Sequence, residues 1–143
     1  MVKRNTGASS EKIFEGFCSS VKAVAHKFVD TKAARNKVTA QPADYLVLAK
    51  EGMGLHEVKS VSSGTSFPFG NIGRMQNMVA NLCDMFGYGD RYIFNVHKLD
   101  TDEWFFFTAR EYTKVGKRSI KFTEMRRADK IQAYNDSLKG KTK

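Results

Sequence analysis

The run Trp104-Phe105-Phe106-Phe107 constrains the fold more tightly than any other segment of this 143-residue chain. Successive side chains of a strand leave opposite faces of a sheet, so consecutive aromatics cannot share one face. Either the strand is covered on both sides or one side lies in a dimer interface. Base stacking is a third use for such rings, and a covered strand or an interface is expected ahead of it. The length suits one domain (1–143, with a core at about 8–110 and a basic tail at about 111–143), built on a single hydrophobic core. There is no internal repeat and no linker long enough to divide it.

The remaining elements follow from apolar spacing. From Ser9, the residues Ile13, Phe17, Val21, Val24 and Phe28 recur at helical intervals. Ser9 or Ser10 is expected as the cap and Glu11 in the first turn. Ala23–Val29 also fits a strand, and periodicity leaves both options open. Thr31–Gln41 reads as a basic loop. Asp44–Lys50 and Leu55–Val61 read as two strands, with Glu51-Gly52-Met53-Gly54 as their turn. Ser62–Gly70 reads as a loop. Ile72, Met75, Met78, Val79, Leu82 and Phe86 predict a second helix ended by Gly87 and Gly89. Arg91–His97 and Glu103–Ala109 are two more strands joined by a turn at Leu99–Asp102, and a basic helical tail is expected from about Glu124. The order predicts an α/β or α+β domain with helices flanking a mixed sheet.

Charge is unevenly placed. The formal net charge is +9, with a sequence pI near 9.6. Residues 1–39 carry eight basic and three acidic side chains, and residues 110–143 carry eleven and four. Residues 40–109 carry five basic and eight acidic ones. Basic flanks suit a polyanion such as nucleic acid, whereas the acidic middle would repel it unless a divalent cation bridges the two. A solvated basic surface explains the charge alone equally well. Cys18 and Cys83 form no CxxC pair, which argues against a structural zinc site and for a reducing compartment. The start MVKRNTGASS lacks the apolar run of a signal peptide, so a soluble intracellular protein is expected.

The chemistry points to the predicted hairpin. Glu57 and Lys59 are two apart on a strand and leave the same face with Leu55 and Val61. Asp44 opens the neighbouring strand, which can bring its carboxylate beside Glu57. Two adjacent carboxylates repel, and a bound Mg²⁺ (or Mn²⁺) relieves that repulsion. A lysine beside them could orient an attacking water and stabilise charge on a phosphorane. A same-face ion pair is the alternative for Glu57 and Lys59, and a cap or strand-edge role is the alternative for Asp44.

The stretch Ala43–Gln76 resembles the RecU family of Holliday-junction resolvases, and more loosely the archaeal Hjc-like resolvases, within the PD-(D/E)XK nuclease superfamily. Asp44 is followed thirteen residues later by Glu57-Val58-Lys59, then by Thr65-Ser66-Phe67-Pro68 and a helix bearing Gln76. Gly7-Ala8-Ser9-Ser10-Glu11 is similar to the G-x-x-x-E start of the first helix, and Ala23–Lys27 to the strand after it. Two departures stand out. The stalk before the catalytic Asp shrinks here to Lys32–Gln41, and Asn71, Gly73 and Arg74 stand where those enzymes have histidines. The resemblance implies a restriction-endonuclease-like core and a Mg²⁺-dependent endonuclease acting on branched DNA as a homodimer in recombination or repair. It would work in the cytoplasm of a bacterial or phage-infected cell. Alternatives are the same chemistry on flapped, nicked or single-stranded DNA, or a basic nucleic-acid-binding module that does not cut.

On that reading Asp44, Glu57, the Val58 carbonyl and Glu11 hold metal, with Glu15 competing for the last role. Lys59 positions water and Gln76 supports the site, a structural hydrogen bond being the alternative for Gln76. Lys27, Lys32, Arg35, Lys37, Thr65, Ser66, Arg74, Arg126 and Arg127 contact DNA, or are simply solvated or turn residues. His26, His56 and His97 form no metal set.

Overall fold

The computed structural model describes residues 7–28, 41–50 and 52–127. Helix α1 (Gly7–Ser20) leads into β1 (Val24–Lys27), β2 (Tyr45–Ala49) and β3 (Gly52–Val61). A short β4 (Ser66–Pro68) precedes α2 (Arg74–Met85), followed by β5 (Tyr92–Lys98), β6 (Glu103–Thr108), α3 (Ala109–Val115), β7 (Ser119–Lys121) and β8 (Arg126–Arg127). One six-stranded mixed sheet runs β1-β2-β3-β5-β6-β8, and β4 pairs with β7 in a separate two-stranded sheet. Within the large sheet only β3 and β5 are parallel, with α2 in the crossover between them.

Strand β6 is covered on both sides, as its four aromatics require. Trp104 and Phe106 join Phe14, Cys18, Tyr45, Val47, Val58 and Ile93 on the α1 side. Phe105 and Phe107 join Tyr92, Phe94, Val96 and Ala80 on the α2 and α3 side. Phe94 and Phe107 stack at 4.8 Å between centroids. Helix α1 is also tied down through polar groups. His97 donates from Nε2 to Asp102 (2.7 Å), accepts the Ser10 hydroxyl at Nδ1 (2.9 Å), and stacks on Trp104.

Several expectations shift. Helix α1 begins at Gly7, so Glu11 lies beyond its first turn, and Ser10 is buried inside the helix rather than capping it. The buried stripe is Ser10, Phe14 and Cys18, while Ile13 is 38% exposed, because His97 recruits Ser10 to the inner face. The strand option holds at Val24–Lys27, ending the helix before Val24. In the hairpin Ala49 pairs with Gly52, which puts both glycines inside β3 rather than in the turn. There Gly54 is required, since a Cβ would lie 2.7 Å from the Arg91 carbonyl. The expected loop Ser62–Gly70 contains β4, held by β7.

Helix α2 turns Ala80, Val79 and Cys83 inward and leaves Met78 and Leu82 exposed, because bonds from Tyr112 to Asn77 and from Thr113 to Asp84 set its rotation against α3. Gly87 ends it with a positive φ of 88°, and the Tyr88 N–H reaches back to Cys83. At the C-terminal side, residues expected to start a helical tail instead form β8. It lies on β6, with the Arg126 guanidinium 4.6 Å from the Phe106 ring and also bonded to Glu111. The rest of the expected tail and the basic loop bearing Lys32, Arg35 and Lys37 lie outside the described residues. Among the described residues no helix is long and apolar enough to cross a membrane.

The doubly covered strand gives a direct stability test. Phe106→Ala removes a fully buried ring between α1 and the sheet. It is expected to cost about 3–5 kcal/mol in urea denaturation; a loss below about 1 kcal/mol would contradict this packing.

Candidate functional site

The site forms where β2 begins and β3 runs on past it. Tyr45 pairs with His56, so Glu57 to Val61 extend beyond the β2 ladder. The Val58 N–H on that open edge donates instead to Asp44 Oδ2, at 2.8 Å. A strand residue's N–H and C=O leave the same side, so the Val58 carbonyl faces this edge too. Asp44 is held from behind. Tyr92 donates to the Pro42 carbonyl (2.5 Å), Gln76 Nε2 donates to the Gln41 carbonyl (2.7 Å), and Ala43 is buried.

Asp44, Glu57, Val58, Lys59 and Glu11 all line one cleft of about 400 Å³, together with Ser60 and Asn71. Lys59 Nζ lies 3.0 Å from Glu57 Oε2, while Glu57 Oε1 is buried and has no hydrogen-bond partner among the described residues. Burial, reinforced by the charge of Asp44, pushes the Glu57 carboxyl from an ordinary 4.5 up to about 7. Lys59 opposes that shift without cancelling it. Burial raises Asp44 as well, against the pull of the Val58 N–H. Two carboxylates are therefore held close, out of water, with one oxygen unsatisfied.

These features fit a divalent cation. Among the described residues no three His, Cys, Asp or Glu side chains form a ready-made metal cluster. The fit rests on two carboxylates and the Val58 carbonyl, leaving the remaining positions of a six-coordinate Mg²⁺ to water. Glu11 reaches the cleft but its Oε1 is 2.7 Å from Lys27 Nζ. Glu15 instead accepts the Tyr45 hydroxyl at 2.5 Å, so of the two glutamates it is Glu11 that borders the cleft.

Other expected residues are placed differently. Gln76 takes the structural alternative, anchoring the approach to Asp44 rather than lining the cleft. Thr65 lines a separate cavity of about 490 Å³ with Lys98, Phe105, Phe122 and Arg127, and Ser66 is in the β4 ladder. Arg74 is exposed at the start of α2. Arg126 and Arg127 lie on β8, at the opposite edge of the sheet from β1, paired with Glu111 and Glu103. His56 is fully buried, and burial holds its imidazole near 3 and so neutral, with Nδ1 accepting from Asn95. Sequence reasoning gave Ser60 no role and named Asn71 only as standing where the resolvases have histidines.

The fold is mixed α+β, a six-stranded mixed sheet flanked by helices. The structure is similar to that of Hjc, a Holliday junction resolvase of the archaeal hyperthermophile Archaeoglobus fulgidus, with a TM-score of 0.59 and 13% identity over 84% of this chain and 94% of that one. It is also similar to D212, a nuclease from a fusselovirus, with a TM-score of 0.51 and 11% identity over 98% of this chain and 96% of that one. No protein-family model matches the sequence, and no curated protein matches it significantly.

The raised Glu57 carboxyl sets the sign of a pH effect. The folded chain holds this proton more tightly than the unfolded one, so the group's stabilising contribution is complete below pH 4.5 and is lost as pH rises to about 7. Without divalent cations, Glu57→Gln is expected to flatten that decline and to be roughly 1–3 kcal/mol more stable than wild type above pH 7. Denaturation curves from pH 5 to 8 in chelator measure it; equal stability at every pH would contradict the burial of a strained carboxylate.

Proposed function

We propose that the chain is a Mg²⁺-dependent endonuclease of the PD-(D/E)XK type acting on branched DNA, with the four-way junction as its preferred substrate and a two-fold dimer as its working form. The observation that carries this is the cleft in which Asp44 and Glu57 approach each other with an unpartnered buried oxygen, and with Lys59 beside them. The likeness of the fold to a Holliday junction resolvase and to a viral nuclease supports it. So does the sequence pattern Asp44, Glu57-Val58-Lys59 and Thr65–Pro68.

A cation bound here supplies Lewis acidity to a phosphodiester and offsets the carboxylate charge that would otherwise repel DNA. Asp44 and Glu57 would hold it, assisted by the Val58 carbonyl, with Glu11 at the border of the cleft as a further donor. Lys59, half-buried and hydrogen-bonded to Glu57, is placed to orient the attacking water and to stabilise charge growing on the phosphate oxygens. Asn71 and Ser60, which also line the cleft, offer hydrogen bonds to the scissile phosphate. Basic residues in the flanks, including Lys27, Lys32, Arg35, Lys37, Arg74, Arg126 and Arg127, would supply backbone affinity without sequence preference.

The test is cleavage of a synthetic four-way junction beside a linear duplex of the same arms. Paired symmetric nicks in Mg²⁺ or Mn²⁺ are expected, falling by roughly a hundred- to a thousandfold or more in Asp44→Ala and Lys59→Ala while junction binding persists. Nicks scattered over any branched or single-stranded DNA would keep the chemistry and replace the substrate. Tight binding with no cutting in either metal would leave only a nucleic-acid-binding module.

A further inference from the structure

The cavity of about 490 Å³ shares no lining residue with the acidic cleft. Its floor is apolar, formed by Phe105, Phe122 and Met125, with the Phe105 and Phe122 rings 4.8 Å apart. Polar groups border that floor: the exposed Thr65 and Thr123, and the Glu103 carboxylate. Lys98 Nζ stands 5.8 Å from the centre of the Phe122 ring, and the Arg127 guanidinium 5.7 Å from that of Phe105. Both distances are near the outer limit of a cation–π contact, so the cations border the rings rather than seal them. Backbone bonds hold the walls in place. The Phe122 N–H donates to the Thr65 carbonyl (3.0 Å), the Met125 N–H to the Phe122 carbonyl (3.2 Å), and the Asp100 N–H to the Ser62 carbonyl (3.1 Å).

Charge decides what suits this cavity. Lys98 is paired with Asp100 at 2.8 Å and Arg127 with Glu103 at 3.1 Å. With each cation matched by an acid, a polyphosphate gains little here, and a neutral planar ring with hydrogen-bonding edges fits better. A nucleobase is such a ring, and it stacks on aromatic and apolar side chains whatever its sequence. The Glu103 carboxylate accepts from Thr101 on Oε1 and from Arg127 on Oε2, and each oxygen keeps a lone pair for a further donor. A base with an exocyclic amino group, such as cytosine, supplies that donor, whereas thymine presents a carbonyl in its place. The volume is within the roughly 300–1,000 Å³ of small-ligand sites, which admits one base and excludes a duplex.

We infer that this cavity receives one unpaired base of a DNA strand held at the cleft, and that it takes cytosine ahead of thymine. The inference rests on the proposal that the chain binds DNA, and not on cleavage. Placement supports it. Val61 follows Lys59 on the same face of β3 and packs in the cluster that contains Phe105 and Phe122, so the cavity floor and the cleft share one side of the sheet. Ser60 lines the cleft, and Gly64, four residues on, lines the cavity. Four residues span at most about 14 Å, which is about four steps along one strand of a duplex. A base freed from pairing near the cut phosphate is therefore within reach. Phe105, one of the run of aromatics in β6, then serves both the core and the ligand.

Photocrosslinking of the full chain in chelator tests this. The probe is a forked duplex carrying 5-iodocytosine at successive unpaired positions, with adducts mapped by mass spectrometry. Adducts on Phe105, Phe122 or Met125 are expected. In the variant Thr65→Leu/Thr123→Leu, aliphatic side chains fill the cavity from two exposed positions, so circular dichroism melts should match wild type. Its affinity for the fork, read by fluorescence anisotropy, is expected to fall roughly tenfold, with affinity for a blunt duplex unchanged. A fork with cytosine arms is expected to bind wild type several-fold tighter than one with thymine arms, a ratio on the order of tenfold. Adducts only at other residues, wild-type affinity in the filled variant, or equal losses on fork and blunt duplex would each overturn the proposal. So would binding of free deoxycytidine monophosphate with no adduct from the fork, and equal affinity for the two arms would overturn the base preference. Cleavage in Mg²⁺ is read separately. A chain that gives these adducts and never cuts keeps the base site and loses the nuclease, and one that cuts without them does the reverse.

Discussion

The hydrogen bond from the Val58 N–H to the Asp44 carboxylate does what a strand would otherwise do. Strand β2 begins at Tyr45, and beyond that point the edge of β3 has no backbone partner on this side among the described residues. Asp44 fills that vacancy with a side chain. A carboxylate is thereby fixed beside Glu57, in a place where burial disfavours both charges. The same geometry that completes the sheet creates the strain at its centre, and a divalent cation is the simplest species to relieve it. Lys59 alone does not: Glu57 stays raised to about 7 with the ammonium beside it, because desolvation and Asp44 outweigh the pair.

The surrounding fold gives that strained edge a rigid support. Strands β5 and β6 are buried on both faces, and Tyr92 carries this rigidity to the Pro42 carbonyl two residues before Asp44. Gln76 does the same from α2. On the other face, the Ser10–His97–Asp102 chain and the His97–Trp104 stack tie α1 to the sheet, holding Glu11 at the mouth of the cleft. A cleft of this kind depends on the contacts that hold its charged residues in place as much as on those residues themselves.

Much of this was legible in the amino-acid order, for reasons that differ by residue. Trp104–Phe107 announced a strand covered on both sides or set in an interface because alternation is a property of any strand, and the structure shows the first. The Glu57–Lys59 spacing fixed a shared face in the same way. Rotation of the helices was not legible. Apolar periodicity points Ile13, Met78 and Leu82 inward, yet polar anchors from elsewhere in the chain, Ser10 to His97 and Asn77 to Tyr112, set the actual faces. The hairpin turn was misplaced by the glycines, which serve here as room for Arg91, its carbonyl at Gly54 and its guanidinium at Gly52, rather than as turn residues. Strand β8 was hidden because a pair of arginines carries no strand signal until Glu111, Glu103 and the Phe106 ring are beside them. Between the two roles the sequence left open for Gln76 the choice was not legible for a similar reason, since which residue reaches the cleft depends on where the chain enters α2.

The central claim is that Asp44 and Glu57 form a cation site, and calorimetric titration of Mn²⁺ into the protein near pH 6.5 tests it most directly. Saturable binding is expected, with proton release that shows as a dependence of the heat on buffer ionisation, because cation binding displaces the proton that the raised Glu57 carboxyl retains. Asp44→Asn should abolish both the binding and the proton release. Absence of saturable binding in wild type, or unchanged binding in Asp44→Asn, would contradict the account.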